Sequence, residues 1–356
     1  MFLKEMIQVI IRFPKHIRRK RSLERQIVEI INEDSYFPEF ERKDRLVRKK
    51  ENRKWVKLYG EANHYYNLYG LDIVGVDQDK YLDSHAFIAQ RNKNNYRSID
   101  ENQITCLRDK FVFYTYMKAK GLPVADIIAI YRNHSLFDID WNEIPIDSVA
   151  DLNDYFVKDM FGKNGSNVYH ITDYDDLLAR FDFNTTGTYI FQRRIVQSKE
   201  MDKVYCDSLN TLRIVTVNNN GKTDIFAATL KCGTQKSDAK DNWSLGSLAV
   251  GINDDGTLKQ FGFYKSEFGT KAAIHPDSGL EFSSFRIPDY SKVKEVVIRA
   301  HKYLYNIHSI GWDVAITDAG PIIIEGNDNW GIALLQAPHG SGLKHKWNEL
   351  QPTQRV

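Results

Sequence analysis

Apolar residues recur at helical spacing at the start of the chain: Leu3, Met6, Ile7, Ile10 and Ile11, then Leu23, Ile27, Ile30 and Ile31. This predicts helix from residue 1 to about residue 32, kinked or broken at Pro14. Residues 107–120 read as a second amphipathic helix, ended by Gly121 with Pro123 just beyond it. After that the period changes. Residues 125–131, 154–160, 188–196, 211–217, 224–230, 247–252 and 258–264 alternate or run apolar at strand length. One more helix, residues 291–308, carries Val293, Val296, Val297, Ala300 and Leu304 on one face and delivers the chain to a hairpin. Its strands, residues 312–317 and 321–325, flank the turn Thr317-Asp318-Ala319-Gly320. Mostly antiparallel strands with a few flanking helices define an α+β class, without the strict βαβ alternation of a doubly wound sheet.

The 356 residues, 42% of them hydrophobic, suffice for about two domains. A net charge of +2 argues against a nucleic-acid partner. The charge is uneven, however. Residues 1–54 are strongly basic, with Arg18, Arg19, Lys20 and Arg21 in one run, so the remainder is net acidic. A basic amphipathic opening of this kind either packs on the domain behind it or lies peripherally on an anionic membrane surface. Cys106, Cys206 and Cys232 lack metal-ligand spacing and fit reduced thiols in a cytoplasmic protein. The opening apolar run is too short to span a bilayer and has no cleavage site after it.

The hairpin carries the first candidate chemistry. Asp313 lies in its first strand, and Glu325 and Asn327 close its second, two residues apart and so on one side of an extended chain. Gathered side-chain oxygens suit a hard cation such as Mg2+ held together with substrate phosphates. Ile322, Ile323 and Ile324 mark the strand as a core strand, against the alternative of a solvated hairpin edge. Upstream, Lys158 precedes the loop Gly162-Lys163-Asn164-Gly165-Ser166, whose backbone N–H groups could cradle phosphate; the same composition also suits a plain turn. It is not a Walker loop. Arg213 stands on a strand between Leu212 and Ile214, which face the other way, so it is solvated or paired with an anion.

The succession LRDK, FVKDMFGKNGS, YIFQRRI, NTLRIVT, WDVAI and IIIEGN resembles the ATP-grasp fold, and in particular the sugar-transfer-associated ATP-grasp group. The resemblance covers roughly residues 107–340. It implies two α+β lobes gripping ATP, with an N-terminal helical extension: residues 1–100 as a basic pre-domain, 101–205 as the first lobe and 206–356 as the second. It further implies that Lys110 and Lys158 contact ATP phosphates and that Gly162 to Ser166, with Gly165, forms a mobile loop over them. Gln192, Arg193 and Ile195 would sit beside adenine, with Glu200 as ribose ligand. Asp313, Glu325 and Asn327 would bind Mg2+, and Arg213 would steady the transferred phosphoryl group. The sequence departs from the pattern in three places. Asp159 stands where a proline commonly follows the strand lysine, and Gln192 replaces the hinge acid. Gly311 occupies the position where many carboxylate-amine ligases carry an arginine, so Arg213 or Lys231 must take that role.

Residues 241–246 and 330–342, with Gln336, His339 and Gly340, are the expected acceptor loops, with His275-Pro276-Asp277 on their rim. The resemblance implies an ATP-dependent ligase that joins a carboxylate and an amine through an acyl phosphate, in surface polysaccharide assembly, with a sugar acid and an amino acid as substrates. A kinase of the same fold and a nucleotide-binding scaffold are the alternatives.

Overall fold

The structure is a computed structural model that describes residues 18–96, 102–162, 167–237 and 241–352. The helix expected over residues 1–17, and residues 163–166 of the glycine loop with Gly165 and Ser166, lie outside this range.

Two antiparallel sheets dominate. The first holds β1 (Ile127–Arg132), β2 (Ser135–Phe137), β3 (Glu143–Ile144), β4 (Tyr155–Asp159), β5 (Val168–Ile171) and β6 (Thr188–Arg193), in the order β3-β2-β1-β6-β4-β5. The second holds β7 (Thr211–Asn219), β8 (Lys222–Cys232), β9 (Leu248–Ile252), β10 (Leu258–Phe263), β11 (Lys271–Ala272), β12 (Ser309–Thr317) and β13 (Gly320–Asn327), in the order β11-β10-β9-β8-β7-β12-β13. The fold class is α+β. The backbone N–H of Ile323 donates to Pro123 O at 2.8 Å and ties the far strand of the second sheet to the chain entering the first.

Two helices differ from expectation. The one expected over residues 107–120 is interrupted at Asp109, whose carboxylate accepts from Phe111 N and Val112 N. That cap separates Asn102–Arg108 from Lys110–Ala119 and makes Lys110 the first residue of the second helix. The one expected to reach residue 308 stops as Tyr290–Tyr303. His301 Nε2 bonds Ile307 O at 2.8 Å, so the buried imidazole holds the turn that follows.

Alternation divides the second sheet into two faces. Leu212, Ile214, Leu230, Trp312, Val314 and Ile323 join Val293 and Val297 of helix Tyr290–Tyr303 in one core. The opposite face takes up the N-terminal region. Ile30, Trp55 and Tyr66 pack with Ala249, Phe263 and Ala333, while Phe87 packs with Phe226, Trp330 and Trp347. Residues 18–96 are therefore cemented to the second sheet. No helix among the described residues is long and apolar enough to cross a membrane.

Candidate active site

A cleft of ≈ 690 Å³ lies between the sheets, lined by Lys110, Lys158, Gly162, Gln192, Arg213, Lys231, Asp313, Glu325 and Asn327 among others. Its floor follows from strand register. Asp313 pairs with Arg213 across β12 and β7 and with Glu325 across β12 and β13, and Gly311 pairs with Asn327. Thr211 opposes Lys231, which brings that lysine onto the same face.

A β-bulge between Asp313 and Val314 is decisive. Asp313 opposes Glu325, but Val314 opposes Ile323, which leaves Ile324 as the extra residue. Ile323 belongs to the core, so strict period-2 alternation would turn Glu325 into the core as well. The bulge resets the phase, and Glu325 and Asn327 line the cleft.

On this floor Arg213 donates two parallel hydrogen bonds to Asp313, Nε to Oδ1 at 2.8 Å and Nη2 to Oδ2 at 2.9 Å. Lys231 Nζ stands 3.4 Å from Asp313 Oδ1 and 3.1 Å from Asp241 Oδ2, and Asp241 also accepts from the Thr211 hydroxyl. Burial would push the Asp313 carboxyl up, but Arg213 and Lys231 outweigh it and hold the group well below the usual carboxylate range. Burial, and after it the Asp313 charge, raise Glu325 instead. Two facing carboxylates driven apart in this way are a donor pair whose repulsion a divalent cation relieves. Asn327 Nδ2 donates to Glu325 Oε1 at 3.1 Å, which turns its amide nitrogen to the acid and leaves its oxygen as a third hard donor. The set fits Mg2+.

Gly311 explains one departure from the ligase pattern. A Cβ there would lie 2.8 Å from Trp330 Cβ and 3.5 Å from Arg213 Cδ. An arginine at 311 has no room, and the guanidinium on this face comes from β7 instead.

The other wall belongs to the first sheet. Lys158 Nζ donates to Gln192 Oε1 at 2.7 Å across β4 and β6. Lys110 Nζ donates to the carbonyls of Asp159 (2.9 Å) and Gly162 (2.7 Å), so it pins the start of the glycine loop. Burial lowers both ammonium groups, Lys158 to about 8. An anion bound beside Lys158 should raise it again. Nucleotide binding is therefore expected to take up a proton near pH 8, and apparent affinity to fall as pH rises from about 7 to about 9. Calorimetry in buffers of different ionisation enthalpy checks this; an enthalpy independent of buffer at pH 8 would remove Lys158 from the binding event.

Of the remaining expected residues, Arg193, Ile195 and Glu200 do not line the cleft; Glu200 pairs with Lys203 on the surface at 2.7 Å. Gln336 is buried and bonds the Leu82 backbone, while His275 is buried against Gly233 O and Tyr205. Sequence reasoning missed Asp241 as the partner of Lys231. It also missed Asp328, which receives Arg108 at 2.6 Å and the Tyr96 hydroxyl at 2.8 Å; its place directly after Asn327 was the available signal.

Two antiparallel sheets thus flank a cleft with lysines on one wall and a carboxylate hairpin on the other. Residues 181–352 match the family model described as Sugar-transfer associated ATP-grasp, so the chain carries a region of that family. Among solved structures it is similar to N5-carboxyaminoimidazole ribonucleotide synthetase from Thermotoga maritima, at 13% identity and a TM-score of 0.37, over 64% of this chain and 43% of that one. It is similar also to D-alanine–D-alanine ligase from Bacillus anthracis complexed with ATP, at 13% identity and a TM-score of 0.40, over 70% and 67% of the two chains. N5-carboxyaminoimidazole synthetase from Staphylococcus aureus complexed with ADP gives 13% and 0.42, over 70% and 53%. The chain thus spans about half the length of several structures it matches. No curated protein matches the sequence.

Proposed function

We propose that the protein is an ATP-dependent carboxylate-amine ligase acting through an acyl phosphate. The observation that carries this reading is the floor of the cleft. Arg213, Lys231, Asp313 and Glu325 stand together opposite Lys158, which is how charge spread over transferring phosphate oxygens is neutralised. Lys158 and Lys110 would hold ATP phosphates, and Gln192, which lines the cleft and accepts from Lys158, would face the adenine. Asp313, Glu325 and Asn327 hold Mg2+, which supplies neutralisation of the phosphate oxygens and orients them.

In the reaction a substrate carboxylate oxygen bonds to the γ-phosphorus as the bond to the β,γ-bridging oxygen breaks, and ADP leaves with that electron pair. The amine nitrogen then displaces inorganic phosphate from the acyl carbon and loses its proton to solvent. Arg213 and Lys231 steady the phosphoryl group, each held in place by the acids it touches. Closure of the cleft excludes water that would hydrolyse the acyl phosphate.

The family description suggests sugar-conjugate or polysaccharide assembly, with small-molecule substrates. The basic helix of residues 18–32 and the helix Arg45–Tyr59, which exposes Leu46 and Leu58 beside Lys50, Lys54 and Lys57, support peripheral contact with an anionic membrane face. The test is ADP release from Mg–ATP against paired carboxylates and amines. Turnover that requires both supports the ligase; a stable phosphorylated hydroxyl product would replace it with a kinase.

A further inference from the structure

Asp313 lies mid-strand and is held by Arg213, but Asn327 is the last residue of β13, where a strand frays unless packing holds it. Helix Asn102–Arg108 does so from both sides. Leu107 packs so closely on Gly326 that a Cβ there would lie 2.8 Å from Leu107 Cδ2. Arg108 donates to Asp328, Nη2 to Oδ2 at 2.6 Å and Nε to Oδ1 at 3.3 Å. The Tyr96 hydroxyl donates to Oδ2 at 2.8 Å and accepts from Arg108 Nη2 at 2.9 Å, so both oxygens of Asp328 are committed to this brace.

The chain just beyond is gripped by helix Ser84–Asn95. Asn95 Nδ2 donates to Asp328 O at 3.2 Å, and the buried Arg91 donates to Asn329 and to Trp330 O. Trp330 in turn covers Gly311, the cross-strand partner of Asn327. Consecutive residues 107 and 108 therefore hold residues 326 and 328, on either side of the amide donor. Two residues further on, Lys110 Nζ holds the carbonyls of Asp159 and Gly162, so one short segment also sets the spacing between the hairpin and the opposite wall.

Mg2+ demands near-ideal octahedral donors, whereas Ca2+ tolerates a flexible set. A donor clamped on both flanks favours the smaller, stricter ion, and contacts that orient metal donors govern affinity even though they never touch the metal.

We infer that helix Asn102–Arg108 is the positioning element of the metal site, and that Arg108, acting through Asp328, holds Asn327 in a geometry that selects Mg2+ over a larger cation. This rests on the reading above in which Asp313, Glu325 and Asn327 hold Mg2+ beside ATP.

The experiment is calorimetry on the full chain with a non-hydrolysable ATP analogue, titrated without metal, with Mg2+ and with Ca2+. In Arg108→Gln the gain in analogue affinity from Mg2+ should shrink about 10-fold, while the gain from Ca2+ and the metal-free affinity stay nearly unchanged. Asp328→Asn should reproduce this loss, and the double variant should be no worse than either single one, because both break the same contact. Arg108→Lys should fall between wild type and Arg108→Gln, since an ammonium keeps the charge but not the two-point geometry. Equal losses with Mg2+ and Ca2+, a loss already present without metal, or a lowered melting temperature with unchanged Mg2+ preference would each overturn the inference. Failure of the wild type to bind the analogue under any condition overturns the ATP-dependent reading instead. Mn2+ binding to the nucleotide-free chain, followed by paramagnetic resonance, then decides the positioning role, which stands only if Arg108→Gln and Asp328→Asn both weaken it.

Discussion

Asp313→Asn is expected to lower folding stability by about 3–5 kcal/mol and to abolish Mg-dependent nucleotide turnover. The physical reason is asymmetry. The carboxylate is 7% exposed at its side chain and serves two cations, Arg213 with two hydrogen bonds and Lys231 at 3.4 Å. Asparagine keeps the shape but removes the charge, which leaves a guanidinium and an ammonium facing each other in a cleft floor with only Asp241 and Glu325 to offset them. Breaking one side of a buried pair costs far more than the pair contributes. The depressed Asp313 carboxyl also gives the sign with pH: its contribution is complete above about pH 4, the unfolded carboxylate value, and is lost as pH falls towards the folded one. Urea unfolding of the two proteins at neutral pH is the check. A variant with the wild-type midpoint would mean that the floor is not held by this pair.

Lys158→Ala is expected to act in the opposite sense on stability while removing function. Burial drives this ammonium down to about 8 against the opposing charges of Glu325 and Asp241, and its hydrogen-bond partner in the resting site is the neutral Gln192 oxygen at 2.7 Å, so the folded protein carries a cation that is only partly compensated. Alanine should leave the unfolding midpoint unchanged or raise it. Mg–ATP affinity should fall on the order of 100-fold, the loss of one charge-assisted contact of about 2–3 kcal/mol. Calorimetry with Mg–ATP beside a thermal melt separates the two effects. An equal loss of stability and binding would instead make Lys158 a structural residue; retained binding would move the phosphates away from β4.

The strands and their alternation were legible because their side chains obey period 2: Leu212 and Ile214 do face the core, with Arg213 turned away from it. The hairpin carrying Asp313, Glu325 and Asn327 was legible from its β-branched runs and turn residues. The two helices were misjudged for local reasons, since Asp109 caps a new helix inside an unbroken amphipathic pattern and His301 stops another. The site's internal pairing was less accessible. Lys231 and Asp241 are ten residues apart, yet nothing in the intervening sequence states that the loop folds back to make a 3.1 Å contact.

What the sequence determined by itself is therefore the class of fold and the supply of cations and oxygen donors, because both follow from local pattern and residue type. The tertiary structure decided which way those groups point and what stands opposite them. A one-residue bulge at Ile324 turns Glu325 from the core into the cleft, and Trp330 packed on Gly311 leaves the guanidinium to β7. Residues 18–96, unreadable as function in the chain, become a wall of the cleft once Phe87, Arg91 and Asn95 dock on Trp330, Asn329 and Asp328. Contacts across more than two hundred residues depend on register and packing, which no local periodicity encodes.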